Sequence, residues 1–306
     1  MNNPGYFLIL FSKPLLPGQR FCIFTLLKLI LSTMRYPFFS FPSIVLSFLL
    51  FAGCGVSKSG DMQNIPPLNI RPVTYQKAEK VCGDLQPDSL TLELFSLSLD
   101  SVPEGLLVDS LRAFIDRFVL ATDSADMLAP DPDSLFSQFV GNWQKTMDDF
   151  EGPCQGWTIS RKIEPLLNKS GLFSLSALDF SFMGGAHPNT QIRLMTFDLT
   201  TGQPVDIRLI INNDQQDAFL KRVEKSFRQV HELSDTASWS YNGFWFDKGF
   251  SLPQYMALTP DGLYLMYNQY EVAPYAAGTT ELMIPIDEFL AFLKPEWRDR
   301  VAAIKR

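Results

Sequence analysis

Histidine and cysteine are scarce in this chain, two and four among 306 residues. No Cys-x-x-Cys pair or Cys/His ligand spacing occurs, so the sequence offers no zinc site. Four cysteines are also too few for a disulfide-built scaffold, and the 18 glycines show no collagen period. A phosphate loop and a dinucleotide fingerprint are missing, as is a Gly-x-Ser-x-Gly nucleophile elbow, and no segment repeats. Asp131-Pro132-Asp133 lacks the glycine and terminal glutamate of a calcium loop. No cofactor and no metal is expected. Apolar material is plentiful, with 46% hydrophobic and 13% aromatic residues, enough for a packed core, which excludes wholesale disorder. At roughly 100–200 residues per domain, the length allows one large domain or two smaller ones.

Acidic residues outnumber basic ones, 33 to 26, and unevenly. Residues 1–53 hold Lys13, Arg20, Lys28 and Arg35 and no Asp or Glu, so the remainder has 22 basic against 33 acidic side chains, a net charge of −11. A body that acidic does not suit a phosphate backbone, whose affinity comes from Lys and Arg displacing counterions. Nucleic acid is not an expected partner; a cationic one is.

Residues 34–54 read Met-Arg, a largely apolar stretch from Tyr36 to Phe51, then Ala52-Gly53-Cys54. A short positive start, an apolar centre and small residues before a cut form a secretory-signal pattern. The small residues ahead of Cys54 resemble the lipobox of bacterial lipoproteins, which implies a diacylated Cys54 as first residue of the mature chain. Phe51 departs from that box, where leucine is usual three places before the cysteine. The apolar run Ile44–Ala52 has 9 residues, against roughly 18–20 for a bilayer span. A 53-residue leader exceeds the ~15–30 expected, whereas a start at Met34 gives 20. The expectation is a mis-assigned upstream extension at 1–33, a lipoprotein signal peptide at 34–53, and a lipidated tether at 54–74 built from small, polar and Pro residues. The rival reading makes Phe21–Leu31 and the second apolar run membrane anchors.

With Cys22 removed and Cys54 acylated, Cys82 and Cys154 remain in an exported, oxidising setting, where an even count suggests a bridge. The alternative is two separate buried thiols. Along the body, Leu90–Leu99 alternates at period two, as a half-buried strand does. Residues 102–120 and 134–150 recur at helical spacing, and 157–166, 172–182 and 191–199 read as strands. Thr200–Gln203 is a turn, 215–230 a helix, 244–250, 255–258 and 263–270 short strands, and 286–293 a closing helix. Helices and strands interleave without a βαβ period, so the fold class is α+β with antiparallel sheets. Six Asp-Ser/Thr-apolar triplets, beginning with Asp88-Ser89-Leu90 and ending with Asp235-Thr236-Ala237, resemble an O-glycosylation site of Bacteroidetes-type bacteria. Such residues also serve as turns and helix starts.

Two segments carry a stronger resemblance. The first is Phe182-Met-Gly-Gly-Ala-His-Pro188 followed by Phe197-Asp-Leu-Thr-Thr-Gly-Gln203. The second is Tyr270-Glu-Val-Ala-Pro-Tyr-Ala-Ala-Gly278 followed by Leu282-Met-Ile-Pro-Ile286. Together they resemble the extracellular C-terminal domain, itself of unknown function, of RsiV-type anti-sigma factors. Gly83 to Leu172 is similar to the PdaC-like segment that often precedes it, including in a peptidoglycan deacetylase. The resemblance implies a two-part body of antiparallel sheets flanked by helices, PdaC-like at 75–172 and RsiV-like at 173–306. In the anti-sigma relatives this part binds lysozyme and so senses host attack. Here a lipid signal stands where those proteins have a sigma-binding segment and membrane span, and the deacetylase's catalytic domain has no counterpart. Neither sigma signalling nor deacetylation is expected.

Read as residues alone, Gly184 and Gly185 after a strand permit positive φ or close backbone approach, and Pro188 restricts His187 towards extended geometry. Pro274 and Gly278 bracket a loop with Tyr270 and Tyr275, whose apolar rings and polar tips suit a contact surface. The two loops are either a binding face or fold-defining turns packed on each other. His187 has no triad partner in sequence, since Asp179 and Ser181 stand in no recognisable order. The expected function is a non-catalytic binding ectodomain on an envelope lipoprotein, held to the periplasmic face of the outer membrane. Its expected ligand is a cationic protein such as lysozyme or another wall hydrolase. The alternatives are a peptidoglycan or carbohydrate-binding module and a hydrolase using His187.

Overall fold

The computed structural model describes residues 65–83, 88–122, 127–149 and 151–305, all within one compact unit. Cys54, the leader and the tether as far as residue 64 lie outside them, as does the Asp123-Ser124 triplet. Among the described residues no helix is long and apolar enough to cross a membrane.

Leu90, Leu92 and Leu94 are buried at alternate positions of strand β2 (Asp88–Ser101), as one inward face of a strand requires. Strand β1 (Asn69–Val81) pairs antiparallel with it along its length. β1 starts inside the stretch that the sequence assigns to the tether. Leu68 is already buried, and its N–H and C=O are both bound by the Asn168 side chain at 2.8 Å. Ten of the 13 β1 residues are exposed, so the strand shows no alternation from which sequence could find it.

After Ser101 the apolar period lengthens. Leu111, Ile115 and Phe118 line one side of α1 (Asp109–Leu120), and Leu135, Phe136 and Phe139 one side of α2 (Pro132–Asp148). α1 begins at Asp109 rather than Val102, because Pro103 and Gly105, at φ +83°, hold the chain in a turn first. Asp131 caps α2 by accepting from the Ser134 N–H at 2.7 Å.

Strands β3 (Thr158–Lys169), β4 (Leu172–Phe182), β5 (Asn189–Asp198) and β6 (Gln203–Pro204) complete a six-stranded sheet in chain order. It is antiparallel except at β2–β3, where α1 and α2 form the crossover that a parallel pair needs. The two helices close over its apolar face to make the first core. Position 172/173, where the sequence divides the body, is the start of β4 within this sheet, just past the β3–β4 turn; the change to a second sheet comes after β6.

The second core forms around α3 (Ile207–Ile210), α4 (Gln216–Val230) and a three-stranded sheet of β7 (Tyr255–Thr259), β8 (Gly262–Tyr267) and β9 (Thr280–Pro285). Phe219, Val223 and Phe227 turn inward from α4, and α5 (Ile286–Phe289) and α6 (Pro295–Ala302) close the far side. Residues 244–250, read as a strand, are irregular, although Phe244 and Phe246 do point inward. Leu194, Ala257 and Met266 join the sheets. Thr196 adds a polar tie, its hydroxyl accepting from the Leu258 N–H and contacting Ser174 Oγ, each at 2.9 Å. The outcome is the α+β fold expected from the sequence.

The sheet has two distinct ends. At the β3–β4 turn, the side chain of Ile65 lies beside Gly171. From Leu172 to Phe182, β4 runs roughly 33 Å to the opposite end at strand spacing, and there the 183–188 loop begins.

Candidate binding face

The two loops singled out in the sequence meet at that far end. The 183–188 loop joins β4 to β5, with Gly184 and Gly185 at φ +82° and +98°. Gly184 also sits close to its neighbours, since a Cβ there would lie 3.1 Å from Gln155 Oε1. His187 is exposed, and its ring stacks on the half-buried Tyr275 with centroids 3.8 Å apart and planes 17° from parallel. Tyr270 completes the group, its ring 6.3 Å from His187 and 5.8 Å from Tyr275, its hydroxyl 3.3 Å from His187 Nε2. Tyr270 is 53% exposed and holds φ +64°, uncommon for a bulky residue.

Several contacts fix this loop. Asn268 is buried, and its side-chain amide copies a strand partner: Oδ1 accepts from the Ile192 N–H and Nδ2 donates to the Ile192 carbonyl, both 2.8 Å. That clamps the end of β8 to β5 beside the His187 loop. Glu271 accepts from the Gln254 N–H at 2.7 Å and the Asn268 N–H at 2.9 Å, while Val272 and Ala273 are buried. Pro274 opens a short turn over Tyr275–Ala277, which Gly278 ends at φ +74°. Trp245 donates its backbone N–H to the Val272 carbonyl at 2.8 Å.

Below the face, a disulfide joins Cys82 and Cys154, whose Cα atoms are 5.4 Å apart. It holds the end of β1 to the 154–157 segment. The same segment is fixed by Asp88, which accepts from the Gly156 N–H at 2.7 Å, and by Trp143 Nε1, which donates to the Gln155 carbonyl at 2.8 Å.

His187 Nδ1 lies 2.9 Å from the Pro188 carbonyl and Nε2 faces Tyr270. Asp179 faces Arg161 at 3.6 Å instead, and Ser181 stands in the β4 ladder opposite Ile159 and Asn189. The adjacent carboxylates 287 and 288 point to different partners: Asp287 binds Lys305 and Glu288 binds Arg222, each at 2.6 Å. Among the described residues no three His, Cys, Asp or Glu side chains gather to hold a metal ion. His231 lies elsewhere, on Phe227 and Phe244 in the second core, with Nε2 2.9 Å from Thr280 Oγ1. Sequence reasoning missed Asn268 and Trp245. The second had a signal, a Trp between two phenylalanines that burial at period two turns outward; an isolated clamping Asn has none.

Residues 209–287 match the family described as "Protein of unknown function (DUF3298)". They form a DUF3298 domain. It contains α4, β7 to β9 and the Tyr270–Gly278 loop, while His187 belongs to the sheet before it. A solved member of the DUF3298 family from Bacteroides fragilis is similar at TM-score 0.60 and 16% identity, over 78% of this chain and 97% of that one. A DUF3298 family protein from Pseudomonas aeruginosa is similar at TM-score 0.54 and 20% identity, over 76% and 96%. Coverage of that extent takes in the six-stranded sheet as well as the DUF3298 domain, and identity this low establishes shared fold alone. No curated protein matches the sequence.

Proposed function

We propose that this is an envelope lipoprotein, anchored through Cys54, whose DUF3298-containing ectodomain binds a cationic protein such as lysozyme or another wall hydrolase without catalysis of its own. The observation that carries the reading is the His187–Tyr270–Tyr275 cluster, assembled from two separate loops at one end of the six-stranded sheet. Aromatic rings with polar tips, grouped and partly exposed, are the composition of interface anchors. The chain beyond residue 53 is acidic, with a net charge of −11. A basic ligand suits both the aromatic faces and that net charge.

The hydrolase reading gains little from this geometry, because both His187 nitrogens face a carbonyl and a phenol rather than a carboxylate and a nucleophile. The carbohydrate reading keeps one support, the aromatic ring faces. Calorimetric titration of residues 55–306 with lysozyme at low and physiological salt tests the proposal. Saturable one-to-one binding that weakens with salt yet persists at physiological strength supports it. Absence of heat at both salts sinks it and moves peptidoglycan fragments to the front.

A further inference from the structure

The stretch Trp239–Phe250 holds six aromatic residues in twelve; four of them, Trp239, Phe244, Phe246 and Phe250, serve the second core, while Tyr241 and Trp245 are exposed. Phe244 and Phe246 are buried with ring centroids 5.0 and 5.3 Å from Phe227, and Trp239 stacks under the Arg228 guanidinium at 3.7 Å. Trp245, between the two buried phenylalanines, turns outward and is 48% exposed. Its indole N–H has no hydrogen-bond partner among the described residues, and the same is true of the Tyr275 hydroxyl. An exposed indole with a free donor contributes little to the core that its neighbours fill.

Its position is fixed by the 2.8 Å bond from its backbone N–H to the Val272 carbonyl, in the middle of the Tyr270–Gly278 loop. Tyr270 is two residues from Val272 and Tyr275 three, so at most about 7 and 11 Å of chain separate them from the residue that Trp245 grips. We propose that Trp245 is a second anchor of the binding face, offering its ring to an arginine or lysine side chain of a basic protein ligand while Tyr270 and His187 contact the same ligand. The inference rests on the binding reading above and extends it from one aromatic cluster to two. Trp gives the strongest cation–π face among the side chains, and the net charge of −11 beyond residue 53 attracts the same charge.

The test titrates residues 55–306 with lysozyme as the basic probe, using wild type, Tyr270→Ala, Trp245→Ala and Trp245→Phe, with the melting temperature of each recorded. Trp245→Ala is expected to weaken binding about thirty-fold, the scale of an interface hot spot, mainly through faster dissociation. Trp245→Phe keeps a ring face and is expected to lose less than about ten-fold. If Trp245→Ala does not fold, Trp245→Phe and protection of Trp245 from acrylamide quenching on complex formation decide the matter. Weakening by Tyr270→Ala with wild-type affinity in both Trp245 variants overturns the second anchor and leaves the first cluster standing. Failure of the wild-type chain to bind overturns both.

Discussion

Removing the Arg300 guanidinium tests how the two cores are held together. Arg300, on α6, makes two bonds to the Asp198 carboxylate at the end of β5, Nη1 to Oδ2 at 2.7 Å and Nη2 to Oδ1 at 2.6 Å. Both side chains are 8% exposed, so neither charge is well solvated without the other. Asp198 also accepts from the Thr200 N–H at 2.9 Å and hydroxyl at 2.6 Å, and the Arg300 guanidinium lies 4.9 Å from the Trp297 ring. Breaking one side of a buried pair costs roughly 3–5 kcal/mol, because the remaining charge is left uncompensated. The Thr200 bonds persist in Arg300→Met, which places the expected loss near the lower bound, about 3 kcal/mol. For a body of this size that corresponds to a melting temperature lower by roughly 6–12 °C.

The pH dependence makes the prediction sharper. Burial raises the Asp198 pKa, but the hydrogen bonds from Arg300 and Thr200 and the Arg300 charge outweigh it and hold the carboxyl below its usual range. A carboxyl depressed in the folded state contributes stability that is fully present above its unfolded value of about 3.9 and is lost as pH falls through the folded value. The gap between wild type and Arg300→Met in urea unfolding should therefore be full at pH 7 and shrink below about pH 4. In the double variant Asp198→Asn, Arg300→Met no charge is left buried, and more than half of the loss should return. An Arg300→Met midpoint within about 1 kcal/mol of wild type at pH 7 would refute the argument, as would a double variant no better than the single one.

Replacing both Cys82 and Cys154 by serine opens a loop with a sequence separation of 72 residues; the chain-entropy model puts the cost at about 4 kcal/mol, read as a lower urea midpoint, and an unchanged midpoint would contradict it. Gly262→Ala should prevent stable folding, because a Cβ there would lie 2.0 Å from the Ile284 carbonyl oxygen on the adjacent strand; a soluble variant with wild-type circular dichroism and melting would show the β8–β9 packing to be wrong. Burial lowers the His231 pKa from 6.5, so the unfolded chain binds the extra proton first, and its contribution is full above about pH 6.5 and falls as pH drops towards the folded value. The loss of stability between pH 7.5 and 5 should be smaller in His231→Gln than in wild type, and equal slopes would remove the histidine from the explanation.

Much of the fold was legible because burial imprints its period on the chain. β2 shows it in Leu90, Leu92 and Leu94, and α4 in Phe219, Val223 and Phe227. The elements that escaped are those whose partners are remote in sequence or whose faces are wet. β1 is exposed along most of its length and is defined by backbone pairing to β2, which leaves no side-chain signature. α6 has two buried residues, Arg300 and Val301, and the arginine is inside only because Asp198 waits 102 residues earlier.

The candidate site divides in the same way. Gly184, Gly185, Pro188, Pro274 and Gly278 announce loops, since their backbone preferences are local and physical, and the tyrosines between them announce a surface. That the loops meet depends on Asn268 imitating a strand against Ile192, a pairing across 76 residues with nothing local to predict it. The meeting brings together the residues on which the proposed binding reading rests. Tyr270 is 53% exposed and keeps φ +64° while its hydroxyl reaches His187. A bulky residue held in that conformation needs its surroundings to enforce it. Buried Asn268, Val272 and Ala273 on either side supply the enforcement, so the core's own packing energy is what presents Tyr270 to solvent.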